Sequence, residues 1–277
     1  MTSARVRPRR LPPKTGFAFL DDGPPGSVLG MAHRGGAEHP DNLGLENTLR
    51  AFQHAAGLGY TYLETDVHVT SDGVVVAFHD ESLDRVTDGV GAIAEMTAAQ
   101  LRSVRVQGAY PVPTLAELLG ALPRCRFNID LKSDAVVGPL VQLLDEHEAW
   151  DRVLVCSFSW RRLRNFRRLS GGRVATAAAP IETALFRFLP SARVADLLTR
   201  GDVRALQVPV RVGPVTVATR GLVRRAHAAG KHVHVWTIDS DDEIKALIDL
   251  GVDGVISDRT DVLKTVLSER RLWREHR

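Results

Sequence analysis

The sequence predicts an α/β protein folded as one closed TIM-type (β/α)8 barrel, and three observations carry that expectation. Short runs rich in β-branched residues alternate with amphipathic stretches from Val28 onward, the pattern of successive βα units around a parallel sheet. Eight such pairs fit into about 240 residues, close to the ~250 that a barrel of this kind takes. No GxGxxG or GxxxxGK[ST] loop follows a strand, which disfavours the alternative, an open doubly wound sheet. With 277 residues, 44% of them apolar and 25% charged, the chain can bury one large core.

The elements follow in order. Residues 1–27, with Pro8, Pro12, Pro13, Pro24 and Pro25, read as a Pro/Arg-rich, mostly irregular extension. Residues 28–267 read as the barrel and 268–277 as a basic tail. Strands are expected at 28–33, 61–69, 126–132, 153–158, 174–179, 205–210, 232–238 and 254–257, with a further extended run at 74–79. Helical patterns occupy 45–57, 135–148, 159–169, 219–229, 240–250 and 260–269. Asp241 and Glu243 open the 240–250 helix and Gly251 closes it, as the helix dipole and the left-handed cap favour; Gly230 ends 219–229 in the same way. The 181–203 segment is helical in pattern but interrupted by Pro190. Between His79 and Asp130 lie two short helical pieces, 96–101 and 113–119, expected to form a short lid rather than a separate cap. Apolar Phe17, Phe19 and Leu20 are candidates to cover one edge of the pocket.

Composition excludes several classes. Cys125 and Cys156 form no CxxC pair, so neither a disulfide framework nor a thiolate metal site is expected. No apolar run approaches the ~18 residues of a membrane span, and Gly16 to Leu20 is too short for a secretory signal, which points to a soluble, cytoplasmic protein. The formal charge of +3 misleads, because the first fourteen residues hold five basic and no acidic side chains and the remainder carries −2. A nucleic-acid partner is therefore not expected, and no protein partner is inferred. The clusters Arg161 to Arg168 and Arg270, Arg271, Arg274 and Arg277 read as solvated helix faces, with peripheral contact to an anionic membrane as the other reading.

A barrel builds its active site at the C-terminal ends of its strands, and ionisable residues gather there. The first strand runs into His33-Arg34-Gly35-Gly36. Its glycines can let the backbone approach a ligand or present N–H groups to an anion, and Arg34 offers a forked phosphate donor. The two-residue period of the second strand puts Glu64, Asp66 and His68 on one face. Adjacent buried carboxylates repel unless a cation compensates them; a hard divalent ion, Mg²⁺ or Ca²⁺ with Mn²⁺ as an alternative, suits oxygen ligands, and pairing with Arg or Lys is the plainer option. His68 reads as structural. On the third strand Phe127, Ile129 and Leu131 face the helices, while Asn128, Asp130 and Lys132 face the interior. Asp130 supplies a third oxygen ligand, and Lys132 either holds a phosphate or neutralises the acids. His79 ends the extended run, giving with His33 a candidate acid/base pair, with Asp80 orienting it or capping the next turn. Trp236 is placed to wall the pocket, with His232 and His234 deeper in the core. Ser157 and Ser159 lack a triad, and no HExxH zinc pattern occurs.

These residues, together with Glu46-Asn47-Thr48, Thr70-Ser71-Asp72-Gly73, Asp130-Leu131-Lys132, Val235-Trp236-Thr237 and Gly251 to Asp258 in that order, resemble the glycerophosphodiester phosphodiesterases, a family of phospholipase-C-like barrels. The resemblance spans about residues 28–264. It implies hydrolysis of glycerophosphodiesters, such as glycerophosphocholine, to glycerol 3-phosphate and an alcohol. By position it implies Glu64, Asp66 and Asp130 as metal ligands and His33 and His79 as the acid/base pair. Arg34 and Lys132 would then contact the phosphoryl oxygens, with Glu46 supporting. One departure stands out: the third metal position is usually glutamate in that family, and Asp130-x-Lys132 looks more like the related sphingomyelinase D enzymes. The His33 and Glu46 motifs also look like members acting on lysophospholipids as phospholipase D-type enzymes, the alternative function. A barrel that only binds anionic ligands is the remaining hypothesis, separable by a turnover assay.

Overall fold

The computed structural model describes residues 11–23 and 26–273. Arg5, Arg7, Pro8, Arg9, Arg10, Pro24, Pro25, Arg274 and Arg277, on which much of the reading of the two termini rests, lie outside the described residues.

All eight expected strands form and close on themselves. They are β1 Leu29–Ala32, β2 Tyr62–Val69, β3 Arg126–Leu131, β4 Val153–Cys156, β5 Ala175–Ala177, β6 Val203–Pro209, β7 His232–Trp236 and β8 Gly254–Ser257. Each pairs in parallel with its chain neighbours, and β1 pairs with both β2 and β8, which completes the cylinder. The extended run at 74–79 becomes a short strand, Val75–Ala77, antiparallel to the end of β2 with Val67 opposite Ala77. It flanks the barrel and is not one of its staves.

Alternation within the strands divides the side chains as expected. Phe127, Ile129 and Leu131 join the main core against the helices, while Asn128 bonds across the barrel interior to Gln207. The outer layer consists of α1 Leu49–Gly57, α2 Leu115–Ala121, α3 Val137–Glu146, α4 Trp160–Leu169, α5 Pro180–Phe188, α6 Ala192–Leu198, α7 Arg220–Ala228, α8 Asp241–Leu250 and α9 Thr260–Glu269. Pro190 separates α5 from α6, since its missing N–H and fixed φ cannot continue a helix. Thr48, Thr114, Ser159 and Thr219 each accept a backbone N–H at a helix start. Gly251 closes α8 in the left-handed conformation.

A second core fills the bottom of the cylinder: Leu29, Met31, Tyr62, Leu154 and Ile256 pack there with Phe19 and Leu20. The N-terminal segment enters from that end. Its one-turn helix Ala18–Asp21 is tied to residues that open the strands. Tyr62 donates to the Phe19 carbonyl at 3.0 Å, Arg126 to the Ala18 carbonyl at 2.9 Å, and His232 Nε2 to the Pro13 carbonyl at 2.9 Å. The expectation that Phe17, Phe19 and Leu20 cover one edge of the pocket is thereby corrected: part-buried Phe17 and buried Phe19 and Leu20 plug the opposite end, where burying each of the latter two is worth about 1.5–3 kcal/mol. At the other terminus Trp273 packs edge-on against Tyr60 at 4.7 Å.

The segment between His79 and Asp130 builds a small core of its own around Phe78, Leu83, Ile93 and Leu101. No residue from 80 to 127 lines the cavity described next, so this segment stands beside the barrel mouth instead of over it. No helix of the described residues is long and apolar enough to cross a membrane.

Candidate active site

A cavity of about 570 Å³ opens among residues that end or follow the strands, a size suited to a small-molecule ligand. It is lined by His33, Arg34, Glu64, Asp66, His79, Asp130, Lys132 and Trp236 together. Eight of the nine residues singled out in the sequence therefore meet in one place. Glu46, the ninth, lies behind them, 3.2 Å from Arg34 and 2.7 Å from Arg85.

The two histidines share one arrangement. Nδ1 of His33 lies 2.8 Å from Asp258 Oδ1, and Nδ1 of His79 lies 2.6 Å from Asp80 Oδ1. A carboxylate can only accept, so each Nδ1 carries the proton and each Nε2 is left for chemistry. Asp80 thus orients its neighbour and caps no turn through that oxygen. Burial alone would lower the His33 pKa, but Glu64, with its carboxylate 3.7 Å from Nε2, and Asp258 raise it to about 9. Arg85 clamps Asp80 and holds it down at about 2.

The carboxylates converge because β2 and β3 are in register, with Asp66 opposite Asp130 and Glu64 opposite Asn128. All three are buried. Lys132 Nζ lies 2.8 Å from both Asp66 and Asp130. Arg34 Nε lies 3.1 Å from Asp66, which also accepts from Asn47. Burial disfavours charge on Asp66, yet Lys132 and Arg34 keep its carboxyl below the usual range. Glu64, which accepts the Arg34 N–H and faces His33, and Asp130, paired with Lys132, are compensated less completely. Burial and the nearby Asp66 push Glu64 up to about 7, burial raises Asp130, and Asp130 Oδ1 is buried without a hydrogen-bond partner. Two under-compensated acids and an orphaned oxygen facing one cavity are a donor set that fits a hard divalent cation.

The two glycines after Arg34 serve a different purpose from the one expected. Gly35 and Gly36 have φ near +87° and +84°, and a Cβ on Gly35 would lie 2.8 Å from Ala51 Cβ. One on Gly36 would lie 2.7 Å from Thr260. They let the loop turn tightly against α1 and α9 and so aim His33 and Arg34 inward; the close approach is to the chain itself.

Several contributors went unassigned in the sequence. Asp258 ends the Gly251 to Asp258 run with nothing local to tie it to His33, which it reaches across 225 residues through barrel closure. Arg85 sits in a segment read as lid, and Asn47 needs its left-handed φ of 57° to reach Asp66. His68, His232 and His234 are buried as the structural reading expected; His68 Nε2 contacts the His79 carbonyl at 3.1 Å, and His234 takes a hydrogen bond from Gln207. Among the described residues a separate group, His39, Asp41 and His54, has ligand atoms within 4.8 Å of one another and can hold a metal ion. None of the three lines the cavity, and His39 Nδ1 already accepts the Asp41 N–H.

Comparison with known proteins is consistent along nearly the whole chain. The profile of the glycerophosphoryl diester phosphodiesterase family matches residues 33–262. The chain is 40% identical over 251 residues to a Mycobacterium tuberculosis protein named "Probable glycerophosphodiester phosphodiesterase 2", covering 90% of this chain and 94% of that one. It is 25% identical to a human protein named "Lysophospholipase D GDPD1", covering 86% and 85%. Among solved structures, an Oleispira antarctica phosphodiesterase in complex with the product sn-glycerol-3-phosphate is similar with a TM-score of 0.72 at 25% identity, covering 87% and 97%.

Proposed function

The chain belongs to the glycerophosphoryl diester phosphodiesterase family, and on that premise we propose that it hydrolyses glycerophosphodiesters to glycerol 3-phosphate and an alcohol using His33 and His79 as acid and base beside a divalent metal. The observation that carries this reading is the matched pair of imidazoles, each anchored at Nδ1 by a carboxylate, lining the same cavity as three acids.

Glu64, Asp66 and Asp130 would hold the metal, which when bound supplies Lewis-acid stabilisation of charge on the phosphoryl oxygens. The chain's own groups do the rest. Arg34 and Lys132 place two fixed cations beside the phosphate, lowering the cost of charge that builds on phosphorus in the transition state. The carboxylates around His33 favour its protonated form at neutral pH, which suits it to protonate the leaving oxygen. His79 Nε2 then takes the proton of the attacking oxygen, with Asp80 stabilising the imidazolium that results. Glu46 and Arg85 fix the positions of Arg34 and Asp80 by ion pairs. Trp236 walls the far side of the pocket against Phe158, their rings 5.7 Å apart.

The test is release of choline and glycerol 3-phosphate from glycerophosphocholine with Mg²⁺, Mn²⁺ or Ca²⁺ and with chelator. The reading expects turnover only with metal and its loss in both His33→Ala and His79→Ala; near-normal activity in either variant defeats the acid/base assignment. A lysophospholipid is the second reading. It is favoured by the apolar side chains of the same lining, Ala178, Pro180, Phe188, Val208, Val212 and Val217, which suit an acyl chain better than glycerol. A parallel assay on lysophosphatidylcholine separates the two substrates.

A further inference from the structure

Exposed apolar side chains are unevenly distributed. Of the thirteen large ones exposed among the described residues, ten fall between 158 and 215. Phe158, Phe188, Val212 and Val215 belong to the lining of the catalytic cavity and still stand open to solvent, Phe158 at 64% and Phe188 at 68%. Trp160 and Ile181 open helices α4 and α5, directly after the C-terminal ends of β4 and β5, and so flank the same mouth; Ile181 is 61% exposed. A monomeric surface rarely leaves such a contiguous patch bare without a partner.

Arginines predominate around the patch, and the acid at its edge, Asp134, is paired with Arg162 at 2.8 Å. Residues 157–169 contain five arginines and no acid, and 209–220 contain two arginines and no acid. In 180–195 the single acid, Glu182, is buried against Arg167. Arg161 and Arg164 are exposed on α4, and Arg164 lies over the Trp160 ring at 5.5 Å. Arg187, in the cavity wall, lies over Phe188 at 5.2 Å. Across the mouth the loops after β1 and β2 carry Glu38, Asp41, Asp80, Glu81 and Asp84. Aromatic and aliphatic tips interleaved with arginines match the boundary between acyl chains and anionic headgroups, where rings sit at headgroup depth and guanidinium groups meet phosphates.

We propose that the rim formed by Phe158, Trp160, Ile181, Phe188, Val212 and Val215 docks the barrel mouth onto an anionic lipid surface, with Arg161, Arg164, Arg187 and Arg211 contacting its headgroups. The apolar wall of the cavity then continues the acyl region of the membrane into the site. This docking does not depend on which diester is cleaved or on the metal.

The test is sedimentation with vesicles of phosphatidylcholine alone and of phosphatidylcholine mixed with phosphatidylglycerol, at low and high salt. The intact protein is expected to bind the mixed vesicles more tightly, and salt to weaken that preference. Trp160→Ala combined with Ile181→Ala, both outside the cavity lining, is expected to lower vesicle partitioning at least ~10-fold, with the circular-dichroism melt unchanged. Arg161→Gln with Arg164→Gln is expected to abolish the preference for phosphatidylglycerol while leaving the fold intact. Absence of vesicle binding by the intact protein overturns the proposal, as does equal binding by the Trp160/Ile181 variant. A rim that instead pairs two copies of the chain would appear as a dimer that the same variant splits, with no vesicle binding, and that result also overturns it.

Discussion

Asp258 offers a sharp test of how the two imidazoles are poised. Asp258→Asn keeps the shape of the side chain and an oxygen for His33 Nδ1, but it removes the charge 2.8 Å away. The lost interaction is a charge-assisted hydrogen bond in a part-buried site, worth about 2 kcal/mol, and it is strongest when His33 is protonated. If His33 is the acid it enters the reaction protonated, so the loss falls on the ground state: kcat on the plateau is expected to stay near wild type, and the energy shows as a displacement of the pH–rate profile by about 1.5 pH units. The sign of the pH effect follows from the same contact. Asp258 is one of the two groups raising the His33 pKa, so its neutralisation moves the alkaline limb of the rate profile toward neutral pH. The assay is a pH–rate profile on glycerophosphocholine, with a thermal melt to show that the fold survives. An alkaline limb that does not move would refute the acid role of His33.

Two further predictions concern the scaffold. Gly35→Ala forces a Cβ to within 2.8 Å of Ala51 at a φ of +87° and should cost about 2 kcal/mol or more in urea unfolding; a loss under ~0.5 kcal/mol would contradict the packing role given to that loop. Burial holds the His234 pKa down at about 3, so as pH falls below ~6.5 the unfolded chain takes up a proton that the folded one refuses. Stability contributed above that pH is lost on acidification, at ~1.4 kcal/mol per pH unit. Comparing wild type with His234→Gln between pH 7 and pH 5 should show the steeper loss in wild type; parallel slopes would mean that His234 is protonated in the folded state.

The barrel was legible because most strands are short apolar runs and several helices carry their own caps, as at Thr48, Thr114, Ser159 and Thr219, both local properties. The two-residue period of β2 and β3 was likewise enough to bring Glu64, Asp66, Asp130 and Lys132 to one side. What escaped were contacts set by closure and register. Asp258 meets His33 only because β8 returns beside β1, and the N-terminal apolar run could be placed at either end of the cylinder until Tyr62, Arg126 and His232 fixed it at the bottom. Glycines after a histidine suggest anion binding in sequence, whereas the steric demand of Ala51 and Thr260 becomes visible only in three dimensions.

The proposed mechanism needs three acids from two neighbouring strands to hold a divalent ion between two imidazoles. Anomalous diffraction from crystals soaked in Mn²⁺ tests it most directly. A peak is expected within ~2.0–2.6 Å of carboxylate oxygens of Glu64, Asp66 and Asp130; a peak only at His39, Asp41 and His54, with none among the three acids, would contradict the assignment.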